Sequence, residues 1–477
     1  MTYIVDPRTE LTAFNENLNT SAYPFIEGSF IYDLIPANFR TFTSGSGSVT
    51  ASNRICNIAL STSSGDFAAI QSFRAVNHKV GNGVNARFSG YFATNVADSW
   101  QGIGLLSVGD EVSFGYNGTS FGIWHRYGGI PEVRTITVTG ASGGSTDLTL
   151  TLNGTAYTIP LTSGTTSHNA YEISSWLNDN QTVWGADNID NTVIINALSD
   201  GAKSGTYTYS HATSTGTIAQ NKAGVAKTSD FVAQSSWNQN TFSTLDPSKG
   251  NIYEITYQDM GFGEINYSVI DPETGNFVVV HRIKQPNSGT ELSIPNPSLR
   301  AGAYAVSLGS TTILNVYYHS VGVFSQAVQA KTRNPRSTSN TQTLSTTNPT
   351  NILAIRNRKT YNNYNNQIEI EPITLTFANE SNKTVVVELR ASQDFNVELI
   401  YSNLGTNLIT DVSTTSATIN SGRILGSYTV APNSDKIVDL TSEEIRLPPS
   451  LNFAIVATRT GGSSGDFTAS LTWYEDI

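Results

Sequence analysis

Cysteine is nearly absent: the 477 residues contain one, Cys56. A single thiol closes no intrachain disulfide and cannot supply the ligand sets of zinc fingers or iron–sulfur clusters. Charge is also scarce, at 14% of residues, and long Ala/Leu/Glu/Lys stretches of the kind that build extended helices are missing. No apolar run approaches the ~20 residues needed to cross a bilayer, so no membrane span is expected. The opening "MTYIVDPRTELTAFNENLNT" lacks the basic segment and apolar core of a secretory signal. These absences point to a protein made in a reducing cytoplasm. Excess positive charge is lacking too, and a net charge of −11 argues against specific nucleic-acid binding by the whole chain.

What is present is strand chemistry. Val, Ile, Thr, Tyr and Phe recur in short runs separated by Gly, Ser, Asn and Asp, with 39 glycines in all. The expected class is all-β and multi-domain. "SGSGSVT" (44–50), "RICNIALSTSSGDFAAIQSFRAV" (54–76) and "VNARFSGYFAT" (84–94) give short strands with regular turn signals, the pattern of a β-sandwich or jelly roll. "FGYNGTSFGIWHRYGG" (114–129) reads as a hairpin about Asn117-Gly118, a pair suited to a type I′ turn.

The texture changes at Val133. "TDLTLTLNGTAYTIPLTSG" holds a second Asn-Gly hairpin, and "SHNAYEISSWLNDN" (167–180) predicts a helix. That helix would bury Ala170, Ile173, Trp176 and Leu177, with Asn169 and Glu172 spaced as a cap and its partner. Residues 133–228 therefore read as an inserted β-β-β-α-β-β module, a small β-rich α+β unit. After it, "SDFVAQSSWNQNTFSTLDPSKGNIYEITYQDMGFGEINYSVIDPETGNFVVVHRIKQ" resumes the first style, and the run Phe277–Val280 fits a strand covered on both faces. Residues 1–132 and 229–330 then close one discontinuous sandwich. Residues 331–351, with Leu344 as the sole large aliphatic before the terminal Asn351, read as a linker. Residues 352–477 read as a C-terminal β-sandwich.

Taken in order, "SGSGSVTASN", "NARFSGYF", the two hairpins, "YEISSWLN", "WNQNTFSTLDPSKGNIYEITYQDMGFGEINYSVIDPETG", "LAIRNRKT" and "FTASLTWYED" resemble an uncharacterised family of virion structural proteins. Its members belong to large DNA viruses of algae and protists and to marine phages. The resemblance implies a laminin-G or concanavalin-like sandwich and a capsid- or fibre-type surface role, with no assigned activity or cofactor. The module 133–228 is similar to insertions in phage tail and surface proteins. The resemblance is weakest over residues 1–43.

Catalytic patterns have plainer explanations. "GASGG" (140–144) and "GGSSG" (461–465) match a nucleophile elbow, which needs a strand-to-helix turn. Both lie between strands, so Ser142 and Ser463 read as hairpin residues. No two of the six histidines stand at metal-ligand spacing, and Asp187 with Asp190 fits an Asn/Asp turn as well as a calcium site. No metal or cofactor is expected, and the chain reads as a non-enzyme.

Two groups of residues stand out as binding candidates. Trp124, His125, Arg126 and Tyr127, at the end of the aromatic hairpin, offer stacking and hydrogen bonding to a sugar ring, although core packing accounts for much of that hairpin. The second is a stretch without Asp or Glu between Glu291 and Glu369, which carries seven positive charges, among them Arg333, Arg336, Arg356, Arg358 and Lys359. These five suit docking on an acidic partner surface, including that of another copy, or simple solvation of a tether. The expected role is a non-enzymatic viral structural protein of the virion surface, assembled in the host cytoplasm and used in assembly, decoration or host attachment. Its expected partners are other virion proteins, further copies of itself (a trimer among the options) and a host surface glycan. The alternatives are a carbohydrate-binding adhesin and a polysaccharide-degrading spike enzyme.

Overall fold

The computed structural model describes residues 23–325 and 334–475, apart from positions 37, 77–80, 94, 259, 311, 406–407 and 444. Its contacts divide the chain into two units, 1–130 with 225–330, and 131–224 with 331–477. The fold is all-β with one α-helix among the described residues.

The first unit is a sandwich. One sheet has seven strands in the order Thr228–Ala233, Ser120–Tyr127, Glu111–Asn117, Ser99–Leu106, Arg300–Ser307, Phe67–Ser72, Phe39–Ser44. The other has eight, running from Phe277–Ile283 through Ile265–Ile270, Asn251–Gln258, Gly83–Phe92, Leu314–Ser325 and Ile55–Leu60 to Ser48–Ser52, with Tyr23–Ser29 added beside Leu314–Ser325. Alternation along each strand sends Ile103, Phe114 and Ile123 from one sheet and Phe88, Tyr253 and Tyr267 from the other into one core. Phe114 stacks on Tyr253 with ring centroids 4.7 Å apart, which ties the sheets together at the centre. The run Phe277–Val280 is an edge strand rather than a central one, and within it only Val280 is buried. Beside it, the Arg87 guanidinium lies 5.0 Å from the Phe277 ring centroid.

The two Asn-Gly sequences turn differently. Asn153 and Gly154 both have positive φ, at 51° and 83°, as a type I′ turn demands. In the first hairpin Asn117 pairs with Ser120, so the central residues are Gly118 and Thr119, and only Gly118 has positive φ, at 59°. That turn is therefore of the II′ kind, displaced by one residue from the expected centre.

In the second unit, residues 131–224 form a four-stranded and a three-stranded sheet with the helix Thr166–Asn180 packed among them. Ala170, Ile173 and Leu177 are fully buried, whereas Trp176 is only partly covered. The helix starts earlier than expected, because the Thr165 hydroxyl accepts the His168 N–H at 3.1 Å and so caps it. Asn169 is instead buried, accepting the Ser142 N–H at 2.7 Å and donating to Glu172 at 3.0 Å. The C-terminal portion closes a four-stranded against a six-stranded sheet around Leu353, Leu375, Ile455 and Trp473. Module and C-terminal portion belong to one unit, where the sequence reading kept them apart.

The linker expectation for 331–351 needs correction over most of its length. Asn334–Leu344 is a strand, paired over 11 residues with the final strand Gly465–Glu475. The compositional argument fails because an edge strand is held by backbone hydrogen bonds. Its neighbour already supplies the apolar face through Phe467, Ala469, Leu471 and Trp473. The expected outcome in amide exchange is protection of alternate residues across 335–343, with proteases slow to cut there. Uniform, unprotected exchange through this stretch would contradict the pairing.

Candidate functional site

Strand alternation decides the fate of the aromatic hairpin. Phe114, Phe121 and Ile123 enter the core, so Glu111, Ser113, Trp124 and Arg126 project from the opposite face of the seven-stranded sheet. Arg126 stands directly across from Glu111, and its Nη1 donates to Glu111 Oε2 at 2.8 Å and to the Tyr304 hydroxyl at 3.0 Å. Its Nε donates to Ser229 Oγ at 3.0 Å. The guanidinium lies 3.8 Å from the Trp124 ring centroid and 4.7 Å from that of Trp100, a cation–π stack. Burial would lower the Arg126 pKa, but Glu111 and Tyr304 more than offset it, so it is raised. Burial next to Glu111 pushes the Tyr304 hydroxyl well above its ordinary value.

The four residues read as a sugar platform do not share a surface. Trp124, His125 and Arg126 are 2%, 3% and 4% exposed. His125 points away from Trp124 and Arg126, bonds the Ser293 carbonyl through Nε2 at 2.7 Å and stacks on the half-buried Tyr127 at 4.6 Å. Consecutive strand residues face opposite ways, which splits the set into two pairs. Glu111, Trp100 and Tyr304 complete the arginine cage and were not singled out from the sequence. Register about the expected Asn117-Gly118 centre would set Arg126 opposite Gly109, and the one-residue shift of the turn brings Glu111 there instead.

In the second unit the acid-free stretch provides the site. Arg356, at the end of the strand Thr350–Asn357, and Arg358, two residues on, face the same way. Asp411, on the strand Thr410–Ser413 and directly across from Arg356, takes both: Arg356 Nη2 donates to Oδ2 at 2.9 Å and Arg358 Nε to Oδ1 at 2.6 Å. Asp411 is 0% exposed, and burial raises its carboxyl pKa against the pull of the two guanidiniums. Arg356 lies 4.2 Å from the Tyr401 ring centroid and donates to the Asn188 carbonyl of the module at 2.7 Å. The Lys359 N–H donates to Asp187 Oδ2 at 2.6 Å, and its ammonium donates to the Ala186 carbonyl at 2.8 Å and to the Asn178 side chain.

These contacts border a cleft of about 260 Å³, lined on the helix side by Tyr171, Ser175 and Asp179 and opposite by Asp394, Glu398 and Tyr401. At its rim the His168 ring reaches Glu398 through Nδ1 at 3.0 Å and its own helix's Glu172 through Nε2 at 3.2 Å. Burial, with Glu172 nearby, pushes the Glu398 carboxyl up to about 8. Of the five cations singled out for docking, Arg356, Arg358 and Lys359 meet here. Arg336 sits half-buried in the edge strand opposite Trp473, and Arg333 lies outside the described residues. Asp187, weighed as a calcium ligand, instead receives Lys359, while Asp190 occupies a turn at φ 49°. Ser142 sits between two strands with its hydroxyl donating to the Gly144 carbonyl at 2.5 Å.

No family model and no curated protein sequence matches the chain. Among solved structures the fold is similar to a legume lectin-like domain from Entamoeba histolytica, at 11% identity and TM-score 0.23 over 68% of this chain and 98% of that one. It is similar to lectin I-B4 from Griffonia simplicifolia at 10% identity and TM-score 0.22, over 63% and 99% of the two chains. A triple jelly-roll protein of an archaeal virus turret shares 8% identity at TM-score 0.19, over 96% and 98%. No site residue, ligand or role is carried over from any of them.

Glu398 makes the second unit sensitive to pH. Its folded pKa of about 8 stands above the ordinary 4.5, so the folded state holds this proton more tightly than the unfolded chain. The resulting stabilisation is complete below the lower value and is lost as pH rises through the higher one. The melting temperature of this unit is therefore expected to fall between pH 5 and pH 8 through this group (roughly the interval between the two values), and Glu398→Gln should flatten that slope. An identical slope in the variant would contradict the assignment.

Proposed function

We propose that the chain is a non-enzymatic structural protein of a virion surface, acting in assembly and host attachment. One observation carries this reading: Arg356 and Lys359 hold the C-terminal domain to a module more than a hundred residues earlier in the sequence, while Arg358 is taken up by Asp411 within its own domain. These charged side chains are thus committed to architecture. The disulfide-free β-sandwich bodies support the same reading, since they fold in a reducing cytoplasm and need no later oxidation. The test is density-gradient purification of particles from infected host cells. The chain is expected to band with intact particles and to be labelled there by an impermeant reagent. Its absence from the particle band would overturn the proposal.

A second reading, attachment through a glycan, is favoured by the outer face of the seven-stranded sheet. There Trp100 and Phe231 stay half-exposed beside the Arg126 cage, with Phe231 4.7 Å from the Trp124 ring. Rings of this kind stack on sugar faces. Trp100→Ala is expected to abolish retention on immobilised host polysaccharide while leaving the fold intact. Equal retention by variant and parent would remove this face from consideration.

A further inference from the structure

The cleft of the second unit gathers polar groups from three elements. On the helix Thr166–Asn180, Tyr171, Ser175 and Asp179 follow one another at intervals of four and so share the face that lines it. Ser175 donates to Asp179 Oδ2 at 3.3 Å, and the Asp179 carboxylate stays exposed. Opposite, Asp394 is exposed at the end of the strand Val385–Phe395, followed by the half-buried Phe395 and by Glu398 in the next segment. Burial pushes the Tyr171 hydroxyl up, and the charges of Glu398, Asp179 and Asp394 add to it, which shows the three carboxyls grouped around that one hydroxyl.

Two lining residues keep a buried polar atom without a partner in the protein. Glu398 gives Oε2 to the His168 ring at 3.0 Å, whereas its Oε1 meets no donor. Arg356, 9% exposed, spends both Nη atoms on Asn188 and Asp411, and its Nε–H meets no acceptor. Buried groups left in this state are costly, and a ligand that pairs them recovers that cost. Both signs of charge line the same space, Asp179, Asp187 and Asp394 against Arg356 and Lys359.

We infer that this cleft is a binding site for a single uncharged sugar ring, held through its hydroxyls. A hydroxyl both donates and accepts, so one kind of ligand group serves an acceptor such as Glu398 Oε1 and a donor such as Arg356 Nε–H. An ammonium ligand would meet two cations here and an anion three carboxylates, while a neutral polyol meets no like charge. Tyr171 and Phe395 add ring faces for the C–H side of the sugar. The volume of about 260 Å³ lies just below the roughly 300–1,000 Å³ of pockets for larger ligands, which suits one ring rather than a chain. Near neutral pH Glu398, pushed up to about 8, holds its proton, and a sugar hydroxyl accepts from it as readily as it donates to the ionised form. The site belongs to the second unit and not to the outer sheet face of the first. It supplies a ligand class for the attachment role proposed above and rests on that reading.

Saturation-transfer NMR on the full-length chain tests this, with glucose, galactose, mannose and N-acetylglucosamine as probes and putrescine and inorganic phosphate as charged competitors. At least one sugar is expected to bind with a Kd of about 1 mM, the order open to so small a ligand, and neither competitor should displace it. Asp179→Ala and Asp394→Ala truncate exposed side chains and should leave the melting temperature unchanged. Each should weaken sugar binding about tenfold, as loss of a hydrogen bond to a charged group does. Trp100→Ala should leave this binding intact, which separates the cleft from the first unit's sheet face. Binding of none of the four sugars overturns the inference, as does sugar binding that both cleft variants retain in full. Displacement by putrescine or phosphate overturns it too, making the cleft an ammonium or anion site. Each of these outcomes leaves the particle-banding test untouched, so the two claims fail separately.

Discussion

A single carboxylate, Asp411, sets the geometry of the second unit. It has no access to water and bonds two arginines, one through each oxygen. Removing three charged groups from water is costly, and only well-formed hydrogen bonds return that cost. The bonds hold the Arg356 guanidinium 4.2 Å from the Tyr401 ring centroid, and the same Nη2 that meets Asp411 also donates to the Asn188 carbonyl. With Arg356 so held, the chain turns at Lys359 alongside Asp187 and Ala186. The docking of the module thus follows from an ion pair buried in the neighbouring domain, and the cleft between them is its consequence.

The first unit repeats the arrangement with different residues. Arg126 is held by Glu111, capped by Tyr304 and stacked on Trp124. In both places a guanidinium is fixed by a carboxylate and an aromatic ring, and planar geometry makes arginine, rather than lysine, the residue that serves. Arg126 braces a sheet from its outer face, where the strands are rich in glycine and have few side chains of their own to pack. Tyr304 leans across Gly102 so closely that a Cβ there would fall 2.5 Å from its ring. Any larger residue at 102 would displace the tyrosine and loosen the cage.

Much of this was readable in sequence where the relevant contacts are local. The helix face Ala170, Ile173 and Leu177 follows from spacing, and the pairing of Glu111 with Arg126 follows from hairpin register once the turn is placed. Asn153-Gly154 turned as its dipeptide dictates, whereas Asn117-Gly118 shifted by one because pairing of Asn117 with Ser120 outweighed local preference. The cluster of cations at 356–359 was visible as charge, but not its partners. Asp411 lies 55 residues away and Asn188 lies 168 away, and no local pattern encodes such distances. The strand Asn334–Leu344 was hidden for a related reason: its stability is supplied by Phe467, Leu471 and Trp473 on the neighbouring strand, leaving its own composition polar.

The decisive measurement is calorimetry of Asp411→Asn beside the parent chain. The variant removes the carboxylate that both guanidiniums bond and leaves Arg356 only the charge of nearby Asp187. Such a change costs about 3–5 kcal/mol in comparable buried pairs. If Asp411 organises the second unit, the transition of that unit should drop by this amount while the first unit's transition stays in place. Two transitions indistinguishable from those of the parent would contradict the account.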